Sequence, residues 1–140
     1  LKDLIGEHRG QKNDCTLLTT LLKNPAGYGR IVRNGRSDAV EKIVEEIDAT
    51  ASEKAVREIN VGVYCFKSGS LFEALKEVQP NNRKNEYYLT DTIAILSRKQ
   101  KIVRSQLNED CREMLGVNSP TDLDKVRQVL EGQKGTLESS

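Results

Sequence analysis

Short β-branched and apolar runs alternate with amphipathic segments of about ten residues along most of this chain, and that alternation limits the fold more than any other feature. Cys15–Leu22, Ile59–Phe66 and Lys101–Leu107 read as strands, each short, rich in β-branched or apolar side chains and bounded by turn residues. Ser68–Gln79 carries Leu71, Phe72, Leu75 and Val78 at helical spacing, which predicts an amphipathic helix buried through that stripe. Leu89–Arg98, with Ile93 and Leu96, predicts another helix, and Pro120–Leu130, with Leu123, Val126 and Leu130, predicts a last one. Strands alternating with helices of this length predict an α/β domain with a mixed sheet. No internal repeat or linker interrupts the pattern, so 1–131 reads as one unit and 132–140 as a frayed polar tail.

Local signals add detail. Leu1–Gly10 reads as a helix with Leu1, Leu4 and Ile5 on one face and Gly10 at its C-cap. Asn34-Gly35, between expected strands Gly29–Arg33 and Ala39–Glu45, predicts a tight hairpin. Ala49–Glu58 reads as a short helix with Thr50 or Ser52 as N-cap, and Thr90 or Asp91 would cap the helix that follows Tyr88.

Composition narrows the function classes. Lys plus Arg number 22 against 21 Asp plus Glu, a net charge of +1 that gives no global attraction to nucleic acid or an anionic membrane. No stretch approaches the roughly 18–20 apolar residues of a membrane-spanning helix. Cys15, Cys65 and Cys111 lack CxxC spacing and have only His8 as an imidazole partner, which argues against structural zinc. Unpaired cysteines and the lack of a signal peptide predict a cytoplasmic protein. Residue 1 is Leu and the only Met is Met114, so the sequence reads as a processed, truncated or partial polypeptide.

Several polar features have plain structural readings. His8 reads as a solvated surface residue, and Arg30, Arg33 and Arg36 as the exposed side of a hairpin. The acidic run Glu45-Glu46-Ile47-Asp48 could hold a metal, but charge runs generally face water. Gly27-Tyr28-Gly29-Arg30 enters a strand rather than a helix, so it is no dinucleotide fingerprint. It is either a strong turn or a place where backbone approaches a ligand. Asn60 sits in an apolar strand and its amide must be satisfied, by a neighbouring loop or by a ligand hydroxyl.

Five ordered segments carry a family resemblance: Asn24-Pro25-Ala26-Gly27-Tyr28-Gly29-Arg30-Ile31-Val32; Ile43-Val44-Glu45-Glu46 with Asp48-Ala49-Thr50; Glu58-Ile59-Asn60-Val61-Gly62; Glu86-Tyr87-Tyr88-Leu89-Thr90-Asp91; and Gly116-Val117-Asn118-Ser119. In this order and spacing the chain, from about residue 10 to residue 131, resembles the second half of the sugar-phosphate nucleotidyltransferase domain. It is most similar to the bacterial N-acetylglucosamine-1-phosphate uridylyltransferases, which are often fused to a glucosamine-1-phosphate acetyltransferase. The resemblance implies part of a Rossmann-like nucleotide-diphospho-sugar transferase fold with a mixed sheet.

It also implies a chemistry. The family joins a sugar 1-phosphate to a nucleoside triphosphate and releases pyrophosphate, with Mg²⁺ as cofactor. By position, Gly29 matches a glycine whose backbone touches the sugar, Glu45 a carboxylate that accepts from a sugar hydroxyl, and Asn60 a sugar-binding amide. Thr90 matches a hydroxyl on the sugar-phosphate side, and Asn118 matches one of two protein ligands to Mg²⁺. Val61 stands where the family commonly has Thr. Tyr28, Tyr87 and Tyr88 are expected to be wall and core. The family's glycine-rich nucleotide loop, its base-reading segment, the Asp that is the other metal ligand and the hexapeptide-repeat domain have no counterpart here. The 140 residues are therefore expected to be inactive alone, and to self-associate or to need an N-terminal half that covers exposed strand edges. Two competing readings stand beside this one: a non-catalytic sugar-nucleotide-binding or assembly module, and an α/β domain without ligand. The second requires that Gly29, Glu45, Asn60 and Asn118 converge nowhere in space.

Overall fold

A computed structural model describes residues 2–35 and 38–110, and within 120–131 positions 120, 121, 123, 124, 127, 128 and 131. The chain divides into two compact units, Leu1–Glu109 and Asp110–Ser140. In the first, α1 (Lys2–Gly10) leads into β1 (Cys15–Leu21), β2 (Arg30–Arg33), β3 (Val40–Val44), α2 (Ala51–Lys54), β4 (Glu58–Phe66), α3 (Ser68–Leu75), α4 (Asp91–Arg98) and β5 (Val103–Leu107). The strands form one sheet in the order β3-β2-β4-β1-β5. β5 pairs parallel with β1 and the other neighbours pair antiparallel, which is the mixed sheet of the expected α/β class.

β1 has a strand on each side, and every residue from Cys15 to Thr20 is buried. A strand covered on both faces reads as a continuous apolar and threonine run rather than an alternation, which is why it stood out in the sequence. Leu17, Ile31, Val40, Ile43 and Val103 of the sheet pack with Ala74, Val78, Ile93, Ile95 and Leu96 from α3, α4 and their flank. Tyr64 and Phe66 close the cluster with ring centroids 5.6 Å apart. Asp14 ties the start of β1 to two distant segments: Oδ1 accepts from Ser70 Oγ at 2.6 Å and Oδ2 from the Ile102 amide at 2.9 Å.

α3 turns a different face inward from the one expected. Ser70 and Ala74 of the helix are buried, as is Val78 of the expected stripe, which lies past the helix end, whereas Phe72 is 63% exposed and Leu75 is exposed as well. Small side chains at positions 70 and 74 let the helix lie close to the sheet, and the Ser70–Asp14 bond fixes its rotation. α1 shows a similar correction, burying Leu4 with His8 while Ile5 points to solvent. His8 is therefore not a surface residue: its Nδ1 pairs with Thr16 Oγ1 at 3.0 Å. α1 continues through Gly10, and Lys12 (φ +54°) makes the left-handed turn after it.

The β2–β3 hairpin is present, but its connection runs from position 34 to 39 rather than closing on two residues, since Arg33 pairs with Val40. Gly35 keeps a positive φ of +62° within it. α2 is a single turn, capped by Thr50: its side chain accepts from the Glu53 amide, and Glu53 Oε2 accepts from the Thr50 amide at 2.8 Å. Lys42 Nζ reaches Glu53 Oε1 at 2.7 Å. The Lys42 ammonium and the Thr50 amide hold the Glu53 carboxyl at about 2, well below its usual value of 4.5. Its stabilising contribution is complete above pH 4.5 and is lost as pH falls from there toward 2. Glu53→Gln should cost about 1 kcal/mol at neutral pH and flatten that part of a Tm-versus-pH curve; an unchanged acid slope would refute the assignment.

In the second unit, the described positions between 120 and 131 are helical, as expected for that stretch. Arg127 lies 3.8 Å from Asp124 one turn away. Leu123 is exposed, and Val126 and Leu130 lie outside the described residues. No helix among the described residues is long and apolar enough to cross a membrane.

Candidate functional site

The sheet register gathers three of the five candidate residues. Arg30 pairs with Val44 on one side and Ile59 on the other, so the preceding Gly29 lies between Glu45, just past β3, and Asn60 of β4. The Asn60 amide donates to the Gly29 carbonyl at 2.9 Å, and Asn60 in turn pairs with Thr19 of β1. Glu45, Gly29, Asn60 and Thr19 thus form one row across four neighbouring segments of the sheet.

Gly29 abuts the Glu45 side chain. A Cβ at Gly29 would stand 3.0 Å from Ile43 Cγ2 and 3.4 and 3.5 Å from the two Glu45 carboxylate oxygens. The missing side chain is therefore a matter of space beside the carboxylate. Gly27, by contrast, has a φ of +87° with open space around it, so there the glycine serves the turn. Of the two glycines in this motif, one shapes the loop and the other makes room for the Ile43 and Glu45 side chains packed against it.

Thr90, at the start of α4, does not cap its helix. Its hydroxyl donates instead to Glu45 Oε1 at 3.0 Å, which joins the fourth candidate residue to the group. A carboxylate has about four acceptor positions, so one such bond leaves Glu45 able to accept from a ligand. Asn60 Nδ2 donates to the Tyr64 hydroxyl at 2.6 Å and its Oδ1 accepts from the Gly62 amide at 3.1 Å. The unusual strand asparagine is held by its own strand, in an orientation set at both ends. Asn118 lies outside the described residues.

A cavity of about 170 Å³ opens beside this group, lined by Gly27, Glu45, Glu46, Ile47, Lys84 and Tyr88. The Tyr88 hydroxyl is buried with no hydrogen-bond partner among the described residues. Burial, followed by the carboxylates of Asp48, Glu86, Glu45 and Asp91, pushes its pKa up, so it remains a protonated donor at neutral pH. Burial and the charges of Glu45 and Asp48 likewise raise Asp91. Tyr87, expected as wall or core, is 71% exposed.

One contributor was not anticipated. Arg30 reads in the sequence as part of a solvated hairpin, yet it is 2% exposed. Its Nη2 meets Glu46 Oε2 at 2.6 Å, Nε donates to the Val56 carbonyl at 3.2 Å, and Nη1 donates to the Tyr28 carbonyl. Arg33 is also engaged, with Nη2 2.7 Å from Glu58 Oε1 and 2.6 Å from Ser105 Oγ. The hint available in the sequence was the density of acidic residues following the arginines; the backbone carbonyls that complete the set belong to loops placed only by folding.

Among the described residues no group of three or more His, Cys, Asp or Glu side chains gathers as a metal site. The arrangement sets a carboxylate and an oriented amide in one row of the sheet, with a small polar cavity opening beside the carboxylate.

The chain has relatives among known proteins. The sequence profile of the family described as "Nucleotidyl transferase" matches residues 1–130. Proteins called "Bifunctional protein GlmU" are similar: that of Acetivibrio thermocellus is 47% identical over 133 residues, 95% of this chain and 29% of its own length. That of Streptococcus agalactiae serotype III is 48% identical over 130 residues, 93% of this chain and 28% of its own length. The chain therefore spans less than a third of these relatives. Among solved structures, a nucleoside-diphosphate-sugar pyrophosphorylase from Vibrio cholerae superposes with a TM-score of 0.65 at 17% identity, over 85% of this chain and 48% of that one. A UTP-bound UGPase from Acinetobacter baumannii gives 0.58 at 17% identity, over 91% and 42%. At these identities the likeness is one of fold, and it agrees with the Rossmann-like class expected from the sequence.

Proposed function

This chain belongs to the nucleotidyl transferase family, and from that premise we propose that its residues hold the sugar half of a nucleotidyl-transfer site. In the complete polypeptide the substrates are N-acetylglucosamine 1-phosphate and UTP, and the products are UDP-N-acetylglucosamine and pyrophosphate. The sugar phosphate oxygen attacks the α-phosphorus in line, without a covalent bond to protein, so the protein contributes positioning and charge neutralisation. Glu45 accepts from a sugar hydroxyl, Gly29 leaves space for the ring, and Asn60 supplies an amide. Thr90, on the sugar-phosphate side, fixes the Glu45 carboxylate that it already bonds. Mg²⁺, when bound, neutralises phosphate charge; Asn118 would supply one of its two protein ligands through an amide oxygen, a donor type this hard cation accepts. The nucleotide-binding half is contributed from outside these 140 residues. The free thiols of Cys15 and Cys65 suit the reducing cytoplasm.

What supports this reading above all is the convergence of Gly29, Glu45, Asn60 and Thr90 through the cross-sheet row and the Thr90–Glu45 bond. The test is pyrophosphate release by the complete polypeptide given UTP, Mg²⁺ and N-acetylglucosamine 1-phosphate. Sugar-nucleotide binding without any release would favour a non-catalytic module instead. In the active polypeptide, Asn118→Ala should raise the Mg²⁺ concentration needed for half-maximal turnover and lower turnover, with Tm nearly unchanged; equal metal dependence would remove Asn118 from the metal.

The 140 residues by themselves should self-associate. Among the described residues β5 is an edge strand, with exposed Ile102 just before it and exposed Leu107 at its end, and an edge of this kind recruits another chain. Sedimentation velocity should show dimers or larger species whose proportion grows with concentration; a monomer at millimolar concentration would contradict this.

A further inference from the structure

Arg30 contacts three segments of chain, and each one carries a member of the candidate site. The Tyr28 carbonyl that it bonds belongs to the residue before Gly29. Glu46, its ion-pair partner at 2.6 Å, follows Glu45. The Val56 carbonyl, 3.2 Å from Nε, lies on the approach to β4, where Arg30 pairs with Ile59, the neighbour of Asn60. A guanidinium has five donors in a rigid plane and can hold several acceptors in fixed directions, as an ammonium cannot. Glu46 is further tied into the same loop, since it accepts from the Gly27 amide, and Lys54 Nζ stands 4.0 Å from its Oε1. With Arg30 only 2% exposed, its guanidinium sits behind the recess, while its partner Glu46, about a third exposed, lines it.

We propose that Arg30 is a positioning residue for this site: through Tyr28, Glu46 and Val56 it sets the mutual placement of Gly29, Glu45 and Asn60 without touching the ligand. The assignment rests on the reading of the recess as a sugar-phosphate site. Small displacements of positioning groups cost rate steeply, on the order of 100-fold for about 1 Å. That sensitivity is the expected scale of the effect.

The experiment uses the complete polypeptide in three forms, Arg30→Gln, Arg30→Lys and Glu46→Gln, beside the wild type. Arg30→Gln should lower kcat/KM for the sugar 1-phosphate by roughly 100-fold while the KM for the nucleoside triphosphate stays within about twofold. Arg30→Lys should recover only part of the loss, because it restores charge but not the fork. Glu46→Gln, which keeps an acceptor for Arg30, is the variant expected to fold most readily and to show a smaller loss of the same kind. Hydrogen exchange gives a readout independent of activity: in Arg30→Gln the Gly27 and Asn60 amides should exchange faster while the β1–β5 ladder is unaffected. Equal losses toward both substrates, full recovery by lysine, or exchange that rises uniformly would each overturn the positioning role. A wild type that transfers no nucleotide to any sugar 1-phosphate would instead overturn the reading of the site, and the amide exchange pattern would still decide whether the clamp exists.

Discussion

Gly29→Ala in the complete polypeptide should all but abolish use of the sugar 1-phosphate while leaving a folded protein. The added Cβ would stand 3.0 Å from Ile43 Cγ2, closer than a comfortable contact, and 3.4 and 3.5 Å from the Glu45 oxygens. Ile43 is buried in the core and has little room to retreat, so the backbone at Gly29 must shift and change its distance to the Glu45 carboxylate. The stability loss should fall at about 1–3 kcal/mol, the usual result of overpacking by one methyl. Loss of kcat/KM for the sugar should reach on the order of 100-fold, since the methyl also occupies the face on which the ring would lie. Gly35→Ala is the control. Gly35 has open space around it and a φ of +62°, so its substitution strains the backbone but leaves the recess alone. Equal kcat/KM for Gly29→Ala and wild type would remove Gly29 from the ligand's path.

The largest effect on stability should come from Leu17→Ala. Leu17 lies mid-way along β1, fully buried between β4 and β5, paired with Tyr64 on one side and Ser105 on the other. Shortening it leaves a cavity that two flanking strands cannot collapse to fill, at a cost of about 2–5 kcal/mol. Against a total of about 5–15 kcal/mol for a typical domain, that is a large fraction. Phe72→Ala removes more atoms but should change stability by only about 0.5 kcal/mol, because the ring is solvated. Chemical denaturation of the three proteins side by side would show the order; a Phe72 variant weaker than the Leu17 variant would mean that α3 packs by its aromatic stripe after all.

That comparison also shows where sequence reasoning stopped. β1 and β4 were legible because burial on both sides, or against a core, selects β-branched runs that few other segments have. The α2 cap was legible to within Thr50 or Ser52, and Glu53, three residues after Thr50, decides for Thr50 through a local device complete within four residues. The face of α3 was not, since its rotation depends on Ser70 meeting Asp14, fifty-six positions earlier in the chain. Arg30 failed for the same reason: its partners are two backbone carbonyls and one of several nearby acids, and nothing local distinguishes them. His8 likewise owes its burial to Thr16 across a turn. In the site, residue patterns alone left Gly29 and Asn60 open between turn and ligand. It was the family resemblance that singled them out with Glu45 and Thr90; the cross-sheet row then brought three of the four together, and the Thr90–Glu45 hydrogen bond joined the fourth.

The register of the sheet bears on how the polypeptide comes to be folded at all. β2 and β3 are joined through Arg33 and Val40, seven positions apart, whereas β1 meets β5 through Cys15 and Val103, eighty-eight positions apart. Closing a longer loop carries a larger entropic cost and delays the contacts that depend on it. During synthesis, β1 can acquire β4 once residue 66 has been made, but its other side stays open until residue 107 has followed. For the intervening interval the nascent chain exposes the backbone of the strand that ends most completely buried, and that interval is when misassembly with another growing chain is most to be expected.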